Sequence, residues 1–506
     1  MDHDLVVVGA GSAGAVIAAR ASEDPSQRVL LLEAGPDYPD PDALPEDLAN
    51  GHKNSILAHD WGFSYQATAA GRSTPLPRGK VTGGSSAVNT CIALRGAPED
   101  YDEWAAAGGP EWAWSSCLPA FLRLEADQDF EGPIHGKDGP IPIRRYRADE
   151  LVPFQSAFLR ACERLGFPAC ADHNDPATTG HGPHPMNKRG TVRASTAMGY
   201  LPAARRRPNF SLQSSTSVRR VVIENGRVVG LAIDGPEGAS ILPCRRVVLS
   251  AGAIQSPGIL VRSGVGPRDV LERLGIPLVK DLPGVGAKLF DHPGAGIALL
   301  PAEGAASFEH PMIQTTLRYT SRGSDVVNDM QLQPLSFLQI DGPMPLFVIA
   351  AVVEKPFGHG RLVFESADPA VQPAILFNFL ADDRDLSRMV EGIELAVKVA
   401  RTPEIAALTQ GILWPSEDSL ASAEAIARTV KTDCASGYHP SGTTPMGREC
   451  DPGAVVDQHG RVFGVEGLFV ADAGIMPSIP RANTNLPTIM IGERFGEWFR
   501  TRAIGQ

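Results

Sequence analysis

The sequence predicts an α/β protein in which a Rossmann-like nucleotide-binding domain is interleaved with a smaller α+β domain built on an antiparallel sheet. Three observations predict it. Asp4 to Gly35 reads as strand, glycine-rich turn, helix, strand. A later apolar strand, Val247 to Ala251, runs directly into the turn and helix of GAIQSPGILVRSGVG, Gly252 to Gly266. Beyond Asp291-His292-Pro293 the character changes to strand-like runs broken by Pro and Gly, which read as an antiparallel sheet.

Composition narrows the class. The chain has 506 residues, 43% of them hydrophobic, enough for substantial cores. Its net charge of −12 and the lack of a Lys/Arg-rich run argue against nucleic acid and anionic membranes as partners. No apolar stretch approaches the roughly 20 residues that span a bilayer. The first strand begins just after Met1 and leaves no room for a signal peptide. Seven scattered cysteines without a C-x-x-C spacing suit reduced thiols. A cytoplasmic enzyme is expected, with oligomeric state open.

The opening unit carries a mechanism. Leu5 to Val8 is the first strand, and Gly9, Gly11 and Gly14 stand in G-x-G-x-x-G spacing before an Ala-rich helix. Gly9 permits the tight turn, Gly11 lets a pyrophosphate approach the backbone, and Gly14 lets helix and strand pack closely. The helix start offers free N–H groups and partial positive charge to phosphates. The second apolar run, Val29 to Leu32, ends on Glu33, where a carboxylate can accept ribose hydroxyls. Flanking strands and an acid at this offset make it a dinucleotide site.

A Pro/Asp-rich segment follows, then an irregular region through Asp60-Trp61, long enough to cover a ligand. GKVTGGSSAVNTCIALRG, residues 79 to 96, brings Gly83, Gly84, Ser85, Ser86, Asn89 and Thr90 together. Here the chain resembles the glucose–methanol–choline (GMC) oxidoreductases. The stretch from Gly79 to Asn89 is similar to that family's first signature, departing at Thr82, and Gly252 to Gly266 is similar to its second. The resemblance spans nearly the whole chain and is weakest between about 301 and 420. It implies FAD as the cofactor, held by Gly9, Gly11, Ser12, Ala13, Gly14, Glu33, Ala34, Trp61, Gly83, Gly84, Ser85, Asn89, Thr90, Val218, Tyr438, Asp472, Ala473, Asn485 and Pro487. Some relatives tether FAD through a His at the position of Val88; valine cannot form that bond, so FAD is expected to be non-covalent.

Residues 97 to 145 read as surface helices and turns, and Val152 to Leu165 as a helix. Asp172, His173, His181 and His184 lie in a Gly/Pro-rich loop where a structural role outweighs a metal site. Residues 210 to 250 read as hairpins with turns at Asn225-Gly226 and Gly235-Pro236, Gly360 to Ile375 as strand-turn-strand, and Asp382 to Ala400 as an amphipathic helix. The expected division is 1–150, 201–290 and 431–506 for the FAD-binding domain, and 151–200 and 291–430 for the substrate-binding domain.

The last 75 or so residues bring GYHPSGTTPMG, a strand ending in Asp472, and a helix that Pro487 is placed to begin. Oxidising an alcohol by hydride transfer to flavin N5 leaves a hydroxyl proton to be taken up, and a neutral imidazole suits that task. By resemblance His439 is the catalytic base and Asn483 its partner across the oxygen, with Asn485 the alternative. A Cys434–His439 nucleophile pair lacks an orienting motif. The expected reaction is oxidation of a primary, small or aromatic alcohol to the aldehyde, with oxygen or another acceptor reoxidising the flavin. The A-N-T-N-L-P-T and G-P-I-P-I segments look like those of bacterial oxidases of furanic or aromatic alcohols, and C-I-A-L like that of choline oxidases. A sugar hydroxyl oxidase and a non-redox hydroxynitrile lyase of the same fold are the rivals.

Overall fold

The computed structural model describes residues 3–338 and 344–504. Its central element is a five-stranded parallel sheet in the order Phe210–Gln213, Val29–Leu32, Leu5–Val8, Val247–Leu249, Leu468–Val470. The three middle strands are buried throughout, which is why they are unbroken Val/Leu runs rather than alternating ones. The Gly14–Ala21 helix covers one face and is itself crossed by the last helix, Asn485–Thr501. That crossing is close because Gly492 and Gly496 lie at it: a Cβ on Gly492 would stand 2.8 Å from Val16 Cβ, and one on Gly496 2.5 Å from Arg20 Cβ. The buried Glu493 then pairs with Arg20 at 2.9 Å and accepts the Tyr200 hydroxyl at 2.6 Å.

The second large element is a mainly antiparallel sheet of seven strands. Its path runs Thr409–Trp414, Pro293–Pro301, Leu346–Val353, Met330–Leu338, Thr315–Tyr319, Gly180–Pro183, and Ala435–Ser436 pairs with the start of the Pro293–Pro301 strand. Helices Pro153–Arg164 and Asp383–Ala400 pack against it, both predicted from periodicity. The Asp383–Ala400 helix buries Met389, Gly392, Ile393, Ala396, Val399 and Ala400, a stripe at helical spacing.

Several expectations shift. Phe210–Gln213 is a parallel edge strand of the central sheet, and only Ser217–Glu224, Arg227–Gly235 and Gly238–Pro243 form the predicted hairpins. Asn225 and Gly226, at φ 52° and 74°, make the first of their turns. The strand predicted over Val247 to Ala251 stops at Leu249, since Ala251 already caps the Gly252–Arg262 helix. Arg361–Val363 and Ala374–Leu376 do pair antiparallel, but in a separate four-stranded sheet with Phe63–Gln66 and Ser73–Leu76. Pro487 is third in its helix rather than first, a position whose N–H also lacks an intrahelical partner.

Candidate active site

A large cavity, about 1820 Å³ of empty space with part of it open to solvent, lies at the carboxyl ends of the central strands. Val8 and Gly9 follow the first strand into it, Leu32 and Glu33 the second, Ser250 to Gln255 the fourth, and Asp472-Ala473 the fifth. A parallel sheet opens its ligand crevice at that edge, because successive crossovers there leave the strand ends uncovered.

At Gly9 and Gly14 the glycine-rich turn has the geometry the spacing predicts. Gly9 has φ 96°, and a Cβ there would stand 2.5 Å from the Ser250 carbonyl oxygen. Gly14 closes the helix–strand contact, since its Cβ would meet the Gly9 carbonyl oxygen at 1.9 Å. Gly84, at φ 52°, brings the first signature onto the turn so closely that a Cβ on it would lie only 2.7 Å from Gly11 Cα. Glu33 bridges the turn: one oxygen accepts from the Ala10 N–H at 2.9 Å, the other from the Gly35 N–H at 2.8 Å. Burial pushes its pKa up to about 7 against those bonds.

Of the nineteen residues named for the cofactor, Gly9, Gly11, Ser12, Ala13, Glu33, Ala34, Trp61, Gly84, Ser85, Asn89, Thr90, Val218, Tyr438, Asp472, Ala473 and Asn485 line this cavity. Gly14, Gly83 and Pro487 are outside its lining and build the turns behind it. Val88 lines it too. Asp472 is engaged within the protein: one oxygen accepts from the Gly252 N–H at 2.9 Å and the Ser256 hydroxyl at 2.6 Å, the other from the Gly474 N–H at 2.7 Å. It thereby ties the second signature to the C-terminal strand. Pro257, inside that signature's helix, cannot supply the N–H for the Ala253 carbonyl, and the Thr443 hydroxyl donates to it at 2.6 Å instead.

At one end of the cavity stand His439 and Asn483. Asn483 Nδ2 is 3.0 Å from His439 Nε2, and His439 Nδ1 is 2.9 Å from Nδ1 of a second histidine, His292. His292 is fully buried, and its Nε2 lies 3.0 Å from the Pro480 carbonyl oxygen. The sheet creates this pairing. Pro293 pairs with Ser436 and Phe290 bridges to Ser441, so the Asp291-His292 step is clamped beside the His439 loop. Asp291 completes the clamp, one oxygen accepting from the backbone N–H of His292 at 2.7 Å and of His439 at 2.9 Å.

Hydrogen-bond logic sets the tautomers. A carbonyl only accepts, so His292 Nε2 carries the hydrogen, and in the neutral ring its Nδ1 then accepts. His439 must donate from Nδ1, which leaves the Nε2 lone pair free to accept from Asn483 Nδ2. Burial, then the neighbouring His292 and Arg78, hold the His439 pKa well below the usual imidazole range. His439 is therefore neutral near pH 7, with its basic nitrogen at the amide.

His292 and Asp291 were legible only as the point where the chain changes character, and nothing marked Arg78. Arg78 and Ser250 line the cavity, though no spacing pointed to them, as does the start of the Gly252–Arg262 helix, where the second signature begins. Cys434 is buried, and burial raises its thiol pKa far from a reactive range. In the histidine-rich loop, His173 and His184 are buried with ring centres 6.3 Å apart, and burial lowers the His184 pKa to about 4. Among the described residues the ligand-like group is instead Glu125, Asp127 and His135. Its charge is already met by Arg95 on Glu125 and by Arg145 on Asp127 and Asp172.

Comparison with known proteins agrees with this architecture. Residues 3–294 and 356–492 match the N- and C-terminal models of the GMC oxidoreductases. The chain is 36% identical to a 5-(hydroxymethyl)furfural oxidase of Methylovorus sp., over 99% of both proteins. It is 34% identical to an oxygen-dependent choline dehydrogenase of Vibrio vulnificus, over 97% of this chain and 93% of that one. The crystal structure of pyridoxine 4-oxidase from Mesorbium loti superposes with a TM-score of 0.91 at 30% identity, covering 99% of each chain. Among the described residues no helix is long and apolar enough to cross a membrane.

Proposed function

The chain belongs to the GMC oxidoreductases, FAD enzymes acting on alcohol CH–OH groups, and on that premise we propose that it oxidises a small or aromatic primary alcohol to the aldehyde, with His439 as base and Asn483 as its partner. The observation that carries this reading is the His439 Nε2–Asn483 Nδ2 pair, 3.0 Å apart, lining the same cavity as both glycine-rich signatures.

The cavity fits a dinucleotide on two counts. Gly11 and Gly84 leave backbone bare where a pyrophosphate needs close approach. Asn485 Nδ2 lines the cavity, buried and with no hydrogen-bond partner, while its Oδ1 accepts from Ser12 Oγ at 2.9 Å; a ligand acceptor would satisfy it. Bound there, FAD supplies the two-electron acceptor for the hydride leaving the carbinol carbon. The first turns of the Gly14–Ala21 and Gly252–Arg262 helices would face its phosphates and polar edges. Val88 offers no nucleophile, so the cofactor is non-covalent in this reading.

The protein's own steps are simple. The substrate hydroxyl takes the place between His439 Nε2 and Asn483 Nδ2, donating to the first and accepting from the second. His439 takes the hydroxyl proton as the carbonyl forms, and Asn483 holds the oxygen throughout. We also assign 1–150, 201–290 and 431–506 to the FAD-binding domain and 151–200 and 291–430 to the substrate-binding domain. The substrate class is supported by the likeness to the furfural oxidase, 36% identical against 34% for the choline dehydrogenase. The test is anaerobic bleaching of the flavin by benzylic and furanic alcohols, choline and sugars. Bleaching by the first group, lost in His439→Ala, is expected; an equal rate in His439→Ala would overturn the assignment of the base.

A further inference from the structure

Behind the two histidines lies a buried carboxylate that the reaction as described does not use. Glu354, at the end of the Leu346–Val353 strand, is 3% exposed. Its Oε2 has no hydrogen-bond partner and stands 3.8 Å from His292 Nε2. A buried carboxylate oxygen without a donor is costly and calls for an explanation. The gap is slightly longer than a hydrogen bond, and a side-chain shift of under about 1 Å closes it once His292 becomes positive.

We infer that Glu354 is a positioning residue for the alcohol oxidation, acting through His292 to hold His439 in its Nδ1–H tautomer and to balance the charge its imidazole acquires. This rests on the assignment of His439 as base. In the step, the substrate O–H bond breaks and its proton bonds to His439 Nε2. The hydride leaves with the C–H electron pair for the flavin of the family's chemistry, and the C=O bond forms. One positive charge is then shared between His439 and His292 across the 2.9 Å Nδ1–Nδ1 contact. No proton has to reach Glu354; its negative charge opposes the new positive one. The arrangement extends by one imidazole the way a buried carboxylate orients a catalytic histidine and stabilises its cation.

The surrounding charges have other partners, Arg318 excepted. Arg481 and Lys355 bond to Asp100, and Lys355 also to Glu103. Asp291 is held by backbone N–H groups and the Ser436 hydroxyl. Arg78 acts on His439 from the cavity side and disfavours its cation. Arg318, buried beside Glu354, gives its N–H groups to the carbonyls of His173 and Arg481 and faces Glu354 as a charge alone.

The experiment is stopped-flow reduction of the holoenzyme by an alcohol across pH 5 to 9, for wild type, Glu354→Gln and Glu354→Asp. Removing the charge in Glu354→Gln is expected to slow flavin reduction about tenfold across this range, with flavin content unchanged. Glu354→Asp, which keeps the charge, should retain the wild-type profile. Nitrogen-15 NMR of histidine-labelled holoenzyme should show His439 protonated at Nδ1 and bare at Nε2 in wild type, with that tautomer less populated in Glu354→Gln; this readout needs no turnover. A Glu354→Gln profile that overlays wild type, or a His439 protonated at Nε2, overturns the inference. Wild type that no alcohol reduces would sink the functional reading instead, and a His439 tautomer identical in wild type and Glu354→Gln would still overturn this one.

Discussion

Gly84 offers the sharpest test of how the cofactor cradle is built. Replacing it with alanine adds one methyl group in two kinds of trouble. The first is backbone strain: at φ 52° a Cβ costs about 1 kcal/mol. The second is contact: the new Cβ would lie 2.7 Å from Gly11 Cα, where carbon atoms prefer about 3.5–4.0 Å. Both partners are backbone, so the two loops must part by about 0.8 Å or more, an overpacking cost of about 1–3 kcal/mol. Gly190 isolates the first cost. Its φ is 56°, yet a Cβ there meets nothing within 4 Å. Gly190→Ala should therefore lose about 1 kcal/mol of stability and keep FAD affinity. Gly84→Ala should carry about 2 kcal/mol more, which weakens FAD binding about 30-fold if it falls on the bound state. Fluorescence of free FAD on dilution, with thermal melts with and without added FAD, measures both. If Gly84→Ala held FAD as tightly as Gly190→Ala, the claim that these two glycines set the approach of the cofactor would be wrong.

Other outcomes follow from particular contacts. Acid or heat denaturation should release all the flavin into the supernatant, because Val88 cannot tether it; yellow colour left on the precipitate would refute this. Thr443→Val removes the donor that replaces the N–H Pro257 lacks, stranding the Ala253 carbonyl at a cost of about 1–3 kcal/mol; Pro257→Ala should recover part of that loss in a double-mutant cycle, read by chemical denaturation. His135 sits among Glu125, Asp127 and Asp172, three carboxylates facing the two guanidiniums of Arg95 and Arg145. Burial opposes its protonation, but the carboxylates prevail and its pKa is raised. A raised folded pKa contributes stability that is full below the unfolded value near 6.5 and fades as pH rises through the folded one. The melting temperature of wild type should thus fall relative to His135→Gln between about pH 6 and 8, and parallel curves would refute it. Gly492→Leu should wedge the last helix off the first and cost more than about 3 kcal/mol, seen as a lower melting temperature and weaker FAD retention together.

Much of the site is local and so could be read from spacing. Gly9, Gly11 and Gly14 are needed by a turn whose two strands lie within one short stretch, and the same holds for Glu33 at the second strand's end. His439 stood out through its shaped loop, and the final helix through its apolar stripe. Gly14, Gly83 and Pro487, expected at the cofactor, instead support the wall, because periodicity tells which turn a residue belongs to but not which side of the turn faces the ligand. The hairpin at residues 361–376 is legible as a pair but not as a member of its four-stranded sheet, since strand pairing within a hairpin is local and the choice of sheet is not.

What this sequence determined by itself is the set of short-range commitments: a strand, a glycine turn and a helix that make a dinucleotide cradle, and a histidine loop near the end. Which groups meet across long separations depends on the folded chain. His292 and His439 are 147 residues apart, and nothing in the spacing of either predicts the 2.9 Å contact between them. That contact exists because the Pro293–Ser436 pair and the Phe290–Ser441 bridge bring two distant stretches of chain side by side.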